Sequence, residues 1–129
     1  MMNLTDIQSW WIEEHNYVLN IARASKNSIQ ALFDMYRRYE ALNDTEKEQI
    51  NDLLISWIES SNVANVNNDE LYTALALVTE YQIFSAIPAM ESLSERLKDC
   101  KIPDNPQGYH EREKVLRKLE NLKSLQISE

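Results

Sequence analysis

The sequence predicts an all-α fold, and three observations carry that prediction. Apolar residues recur at intervals of three and four almost throughout the 129 residues, the period of a helix with one buried stripe. The chain holds one Gly and three Pro, too little for the tight turns that join strands or for loops that cradle phosphate. Polar capping residues such as Thr5 and Asn43 stand just ahead of periodic apolar runs. The expected architecture is about six helices in antiparallel pairs forming a short α-α superhelix; a closed helical bundle is the other arrangement of the same elements. The length suits one domain, so residues 1–129 are read as a single all-helical unit.

Thr5 and Gln8 have capping-box spacing, so the first helix starts at Thr5. Its apolar face is Ile7, Trp10, Trp11, Tyr17, Val18 and Ile21. Trp10 and Trp11 point about 100° apart, which places one of them at the edge of the core. Glu14 falls on the same face and needs either solvent or a pair with Arg37 or Arg38, because an unpaired buried carboxylate is costly. Residues 25–28 interrupt the period. The second helix carries Ile29, Leu32, Phe33 and Tyr36 on one face. Asn43-Asp44-Thr45 stops it and caps the third, where Glu46 and Glu48 suit the positive helix start and Ile50, Leu53, Leu54, Trp57 and Ile58 form the buried line.

Residues 60–68 contain four Asn and read as a loop. The fourth helix begins near Asp69, buries Leu71, Ala74, Leu75 and Val78, and ends around Gln82. In the fifth, Ala86, Met90, Leu93 and Leu97 share a face, and Pro88 sits in the first turn, where its missing N–H costs little. Pro103 and Pro106 bracket a second loop that ends in Gly108. The sixth helix carries Val115, Leu116, Leu119 and Leu122, with Glu113 and Arg117 as a supporting pair one turn apart.

Thirteen basic and 21 acidic residues give a net charge of −8, which disfavours direct binding to nucleic acid. The charge is uneven. Between Glu40 and Glu95 eleven carboxylates face one base, Lys47, a net −10, whereas residues 100–129 hold six bases and five acids, a net +1. Cys100 is the sole cysteine, so no internal disulfide forms and a reducing cytoplasm is the expected compartment. No signal peptide and no membrane span are expected, because no basic start leads into a long apolar run and no stretch nears the roughly 20 apolar residues that a span requires.

One segment has a recognisable pattern. Asp69-Glu70-Leu71-Tyr72 leads through Ala74-Leu75-Ala76-Leu77-Val78 to Ala86-Ile87-Pro88-Ala89-Met90. Residues 69–98 resemble a HEAT-type helical repeat, in which an acidic cap opens the first helix and Ala-Ile-Pro-x-Leu opens the second. Met90 stands where that pattern prefers Leu, and Tyr72 where it usually has Arg. With Leu53 to Trp57 and the tail Tyr109-His110-Glu111-Arg112-Glu113-Lys114-Val115, the chain is also similar to a family of small, poorly characterised bacterial proteins. No assigned catalytic residue carries over. The resemblance implies binding to other macromolecules along stacked helices.

Catalytic constellations are missing from the sequence. His15 and His110 stand outside metal-ligand spacings, and no Gly flanks a Ser to build a nucleophile elbow. Both histidines are expected at the surface or at a helix end; no enzyme activity, metal or cofactor is expected. The acids have more shape. Glu48, Asp52 and Glu59 line the third helix opposite Ile50, Leu53 and Trp57, with Ile55 among them. Asp69, Thr73, Ala76 and Glu80 share the outward face of the fourth helix, and Glu91 and Glu95 lie one turn apart on the fifth. The expected protein-binding residues are Glu48, Asp52, Glu59, Asp69 and Glu80 as attractors, with Ile55, Tyr72 and Tyr81 as anchors. The expected function is a non-catalytic protein-binding module for a basic protein partner, in concrete terms an immunity-like protein that neutralises a basic toxin or nuclease. The competing reading is a structural or adaptor subunit, a homo-oligomer with an apolar interface.

Overall fold

The computed structural model describes residues 4–61, 69–97 and 106–128. Among these it is all-helical: α1 (Asp6–Ser25), α2 (Ser28–Glu40), α3 (Asp44–Glu59), α4 (Asp69–Glu80), a single 3₁₀ turn (Phe84–Ala86), α5 (Ile87–Arg96) and α6 (Pro106–Ser128). The chain divides after Leu53 into two compact units. The division falls within the α3 range. Cys100, Pro103 and most of the Asn-rich segment lie outside the described residues.

In the first unit, α1 starts as its capping box requires. Thr5 Oγ1 accepts from the Gln8 N–H at 3.2 Å, and Gln8 Oε1 accepts from the Thr5 N–H at 3.0 Å. Gln8 does a second job, donating from Nε2 to the Gln49 carbonyl of α3 at 2.8 Å. The buried line of α1 is Gln8, Trp11, His15, Val18 and Ala22. Lys26 ends the helix in the left-handed region (φ 57°), and Asn27 caps α2 by accepting from the Gln30 N–H. This two-residue turn folds α2 back on α1 in antiparallel fashion, so Glu14 and Arg38, twelve positions before the turn and eleven after it, pair at 3.0 Å. Ala22 and Ala31 are buried at matching distances from the turn, where small side chains let the helices approach closely.

That close approach corrects the sequence reading of α2. Its buried line is Ala31, Met35 and Tyr39, while Ile29 and Phe33, expected in the core, are exposed. Tyr17 and Ile21, assigned to the apolar face of α1, are exposed as well. His15, expected at the surface or a helix end, is fully inside. Trp11 is 0% exposed and Trp10 half-exposed, so Trp10 is the one at the edge of the core.

Tyr39 ties the three helices of this unit together. Its hydroxyl donates to Asn51 Oδ1 at 2.8 Å, its ring meets Trp11 edge to face at 6.4 Å, and Lys47 Nζ lies 5.5 Å from its centroid. Burial pushes the phenol above its ordinary pKa, with the Asn51 bond partly offsetting it. The unfolded chain therefore ionises first, near pH 10.0. The contribution of this residue is complete below that pH and is lost as pH rises through the raised folded value. Urea unfolding from pH 9 to pH 11 is expected to show a steeper loss of stability in the wild type than in Tyr39→Phe. Equal slopes would contradict this assignment.

In the second unit α6 is the main partner of both α5 and α4. Lys123 pairs with Glu91 at 2.9 Å and Arg112 Nε donates to the Ser94 carbonyl at 3.2 Å, which fixes α5 and α6 antiparallel. α4 is buried nearly all round: Leu71 and every residue from Thr73 to Val78 are inside. Pro88 falls at the start of α5, as its spacing predicts. α6 begins at Pro106, so Gly108 belongs to its first turn and not to the loop expected there; Pro is favourable at a helix start. The expected Glu113–Arg117 pair is not formed; Arg117 instead lines a cleft beside Tyr72.

Candidate protein-binding surface

α3 starts with a second reciprocal cap. Asn43 Oδ1 accepts from the Glu46 N–H at 2.8 Å and Glu46 Oε1 accepts from the Asn43 N–H at 3.0 Å. The charge of Glu46 is thus engaged at the helix start, where it also suits the dipole. Beyond it, Ile50, Leu53, Leu54, Trp57 and Ile58 are buried and turn the opposite side of the helix outward. Glu48, Asp52 and Glu59 stand on that outer line, exposed, and among the described residues none of them makes an ion pair. Ile55 lies half-exposed among them, as expected. Glu59 ends the helix, at its negative pole, and no basic residue occupies the last turn. Its carboxylate therefore does nothing for helix stability.

The carboxylates of the second unit are arranged differently. Asp69 and Glu80 are exposed at the two ends of α4, but Thr73 and Ala76, expected between them on an outward face, are buried. The helix has no continuous outer stripe because neighbours cover it on almost every side. Tyr72 is its one exposed mid-helix side chain, and among the described residues it lines a cleft with Lys114, Arg117 and Lys118 of α6. Tyr81 is half-buried. On α5, Glu91 is neutralised by Lys123.

Where α3 ends, sequence reasoning missed a clamp. Arg96 of α5 donates from Nε to the Ser61 carbonyl and from Nη2 to the Ile58 carbonyl, both at 3.0 Å, while Nη1 holds Ser92 Oγ. The partners lie 35 and 38 residues away, beyond the reach of any local pattern. The other missed feature is apolar. Tyr17 and Ile21 on α1 and Ile29 and Phe33 on α2 form exposed pairs one turn apart. Ala31, two positions from Ile29 and from Phe33, is buried on the opposite side of α2, which hydrophobic period alone does not show.

Glu14 is committed to Arg38, as one of its two expected pairings allows. A groove of about 520 Å³ between the helix ends is floored by Ile7, Trp10 and Leu42, and its polar rim is engaged: Arg38 by Glu14, Glu46 by the cap. Among the described residues no three His, Cys, Asp or Glu side chains converge to hold a metal ion, and no helix is long and apolar enough to cross a membrane. Comparison with family models, curated proteins and solved structures finds no match for this chain.

Proposed function

We propose that this chain is a non-catalytic protein-binding module that docks a basic protein on the outer line of α3, in the manner of an immunity-like protein that neutralises a toxin or nuclease. One observation carries the reading: Glu48, Asp52 and Glu59 are exposed, aligned and, among the described residues, without ion-pair partners. Helical rise separates the first two by about 6 Å and the last two by about 10 Å, so their fields overlap within a Debye length. Like charges at this spacing cost a helix a few tenths of a kcal/mol, and Glu59 adds an unfavourable dipole term. A surface that opposes its own helix in this way is explained by an external cation. Ile55 offers an apolar contact at the centre of the line. The HEAT-like pattern of residues 69–98 points the same way, toward binding along helix surfaces.

The exposed Tyr17, Ile21, Ile29 and Phe33 favour a second reading, a structural or adaptor subunit that associates through an apolar face. Affinity capture from source cells separates the two. The first reading expects a specific partner that is released by salt and lost in the triple variant Glu48→Lys, Asp52→Lys, Glu59→Lys, which should fold because all three side chains face solvent. A partner that survives both treatments and is lost in Ile29→Glu, Phe33→Glu would overturn it in favour of the second.

A further inference from the structure

Three large apolar side chains of the first unit stop half-buried at one opening. Ile7 and Trp10 lie one turn apart on α1 and Leu42 stands just after α2; with Ala41 they line the groove of about 520 Å³ at the helix ends. Core neighbours such as Trp11 and Met35 are fully covered, so the groove holds apolar area that the fold leaves to water in a concave place. Its three charged rim groups are not equivalent. Arg38 gives Nε to Glu14 at 3.0 Å and Nη1 to the Asp34 carbonyl at 3.2 Å. Glu46 is bound into the cap of α3. Arg37 is the accessible one. Its side chain is 72% exposed and meets Asp34 through Nη1 at 3.5 Å, while Asp34 also takes the Gln30 amide at 3.0 Å. An exposed pair of that length contributes little, so Arg37 can turn its fork to a ligand at small cost.

We propose that this groove binds an aromatic monocarboxylate, with its ring against Trp10 and Leu42 and its carboxylate on the Arg37 guanidinium. The half-exposed indole is a flat apolar surface on which a second ring packs favourably. A carboxylate matches the two parallel N–H groups of a guanidinium fork. A phosphate ester would bring nearly two charges to one accessible cation, with the Glu46 carboxylate on the same rim, so a single charge is preferred. The volume falls within the range of about 300–1,000 Å³ that small-molecule sites occupy. The groove shares no residue with the outer line of Glu48, Asp52 and Glu59, so the two sites are separable by mutation.

NMR titrations of the full chain at fixed pH and ionic strength test this with naphthylacetate, its neutral analogue naphthylacetamide, acetate and naphthyl phosphate. Saturable shifts centred on Ile7, Trp10, Arg37 and Leu42 are expected with naphthylacetate. The acid should bind at least about tenfold more tightly than the amide, given the strength of charge-assisted bonds. Arg37→Gln should bring the two to equal affinity, and its exposed position should leave the fold intact. Arg117→Gln, the same charge change in the second unit, should alter neither. Ala41→Phe adds a ring at an exposed position of the groove and should abolish binding of both. Equal affinity for acid and amide in the wild type, shifts that acetate reproduces, tighter binding of naphthyl phosphate, or no saturable shift at all would overturn the proposal. So would groove resonances that move when the protein alone is concentrated, which would assign the opening to a second copy of the chain.

Discussion

Trp11→Ala is expected to cost about 3–5 kcal/mol, the range for removing a fully buried aromatic side chain. Trp11 is wholly inside, between Trp10 and Tyr39, with ring centroids 6.4 Å from each. A chain of this size is stable by roughly 5–15 kcal/mol in all, so the variant should sit close to unfolding under mild urea. Trp11→Phe gives the contrasting result. The indole Nε1 is buried with no hydrogen-bond partner, and an orphaned donor costs about 1–3 kcal/mol. Phe gives up some contact area but removes that penalty, so its urea midpoint should stay near that of the wild type. A Phe variant as damaged as the Ala variant would show that the N–H is satisfied and that the account of this core is wrong.

Arg96→Met is expected to cost about 2 kcal/mol, because charge-assisted hydrogen bonds contribute about 1.5–3 kcal/mol and two carbonyls at the end of α3 depend on this side chain. Met keeps most of the stem, so the loss isolates the guanidinium. Arg96→Lys should recover only part of it, since a single ammonium cannot reproduce the fork that spans the Ile58 and Ser61 carbonyls. Urea denaturation of the three proteins checks the order wild type, Lys, Met. If all three unfold at one midpoint, Arg96 does not hold the end of α3.

These two residues mark what a reader of the sequence can and cannot see. Helix positions follow from period and caps: Thr5 with Gln8, Pro88 at the start of α5, and the buried line of α3 from Ile50 to Ile58 are local properties, set by neighbours three and four positions away. The pairing of Glu14 with Arg38 was foreseeable because a carboxylate beside an apolar face needs a cation. Which face of α2 turns inward was not, because Ile29 and Phe33 are more apolar than Ala31; small size won over hydrophobicity where two helices cross closely. The outward face assigned to α4 failed for a related reason. Small residues such as Ala74 and Ala76 admit neighbours on all sides, which periodicity alone does not register. Arg96 and the cleft at Tyr72 depend on segments that meet only after folding. Of the candidate surface, the α3 line of Glu48, Asp52, Ile55 and Glu59 was legible because it rests on one helix. Asp69, Tyr72 and Glu80 are exposed as expected and Tyr81 is half-buried, but the buried Thr73 and Ala76 keep them from forming one continuous face.

Association kinetics of the captured partner probe the central claim most directly. With the wild-type chain, the on-rate should fall steeply as salt rises, and reversal of Glu48, Asp52 and Glu59 should cut it by about tenfold or more at low ionic strength, because exposed charge acts chiefly on encounter. An on-rate indifferent to both salt and the three reversals would mean that the α3 carboxylates recruit nothing.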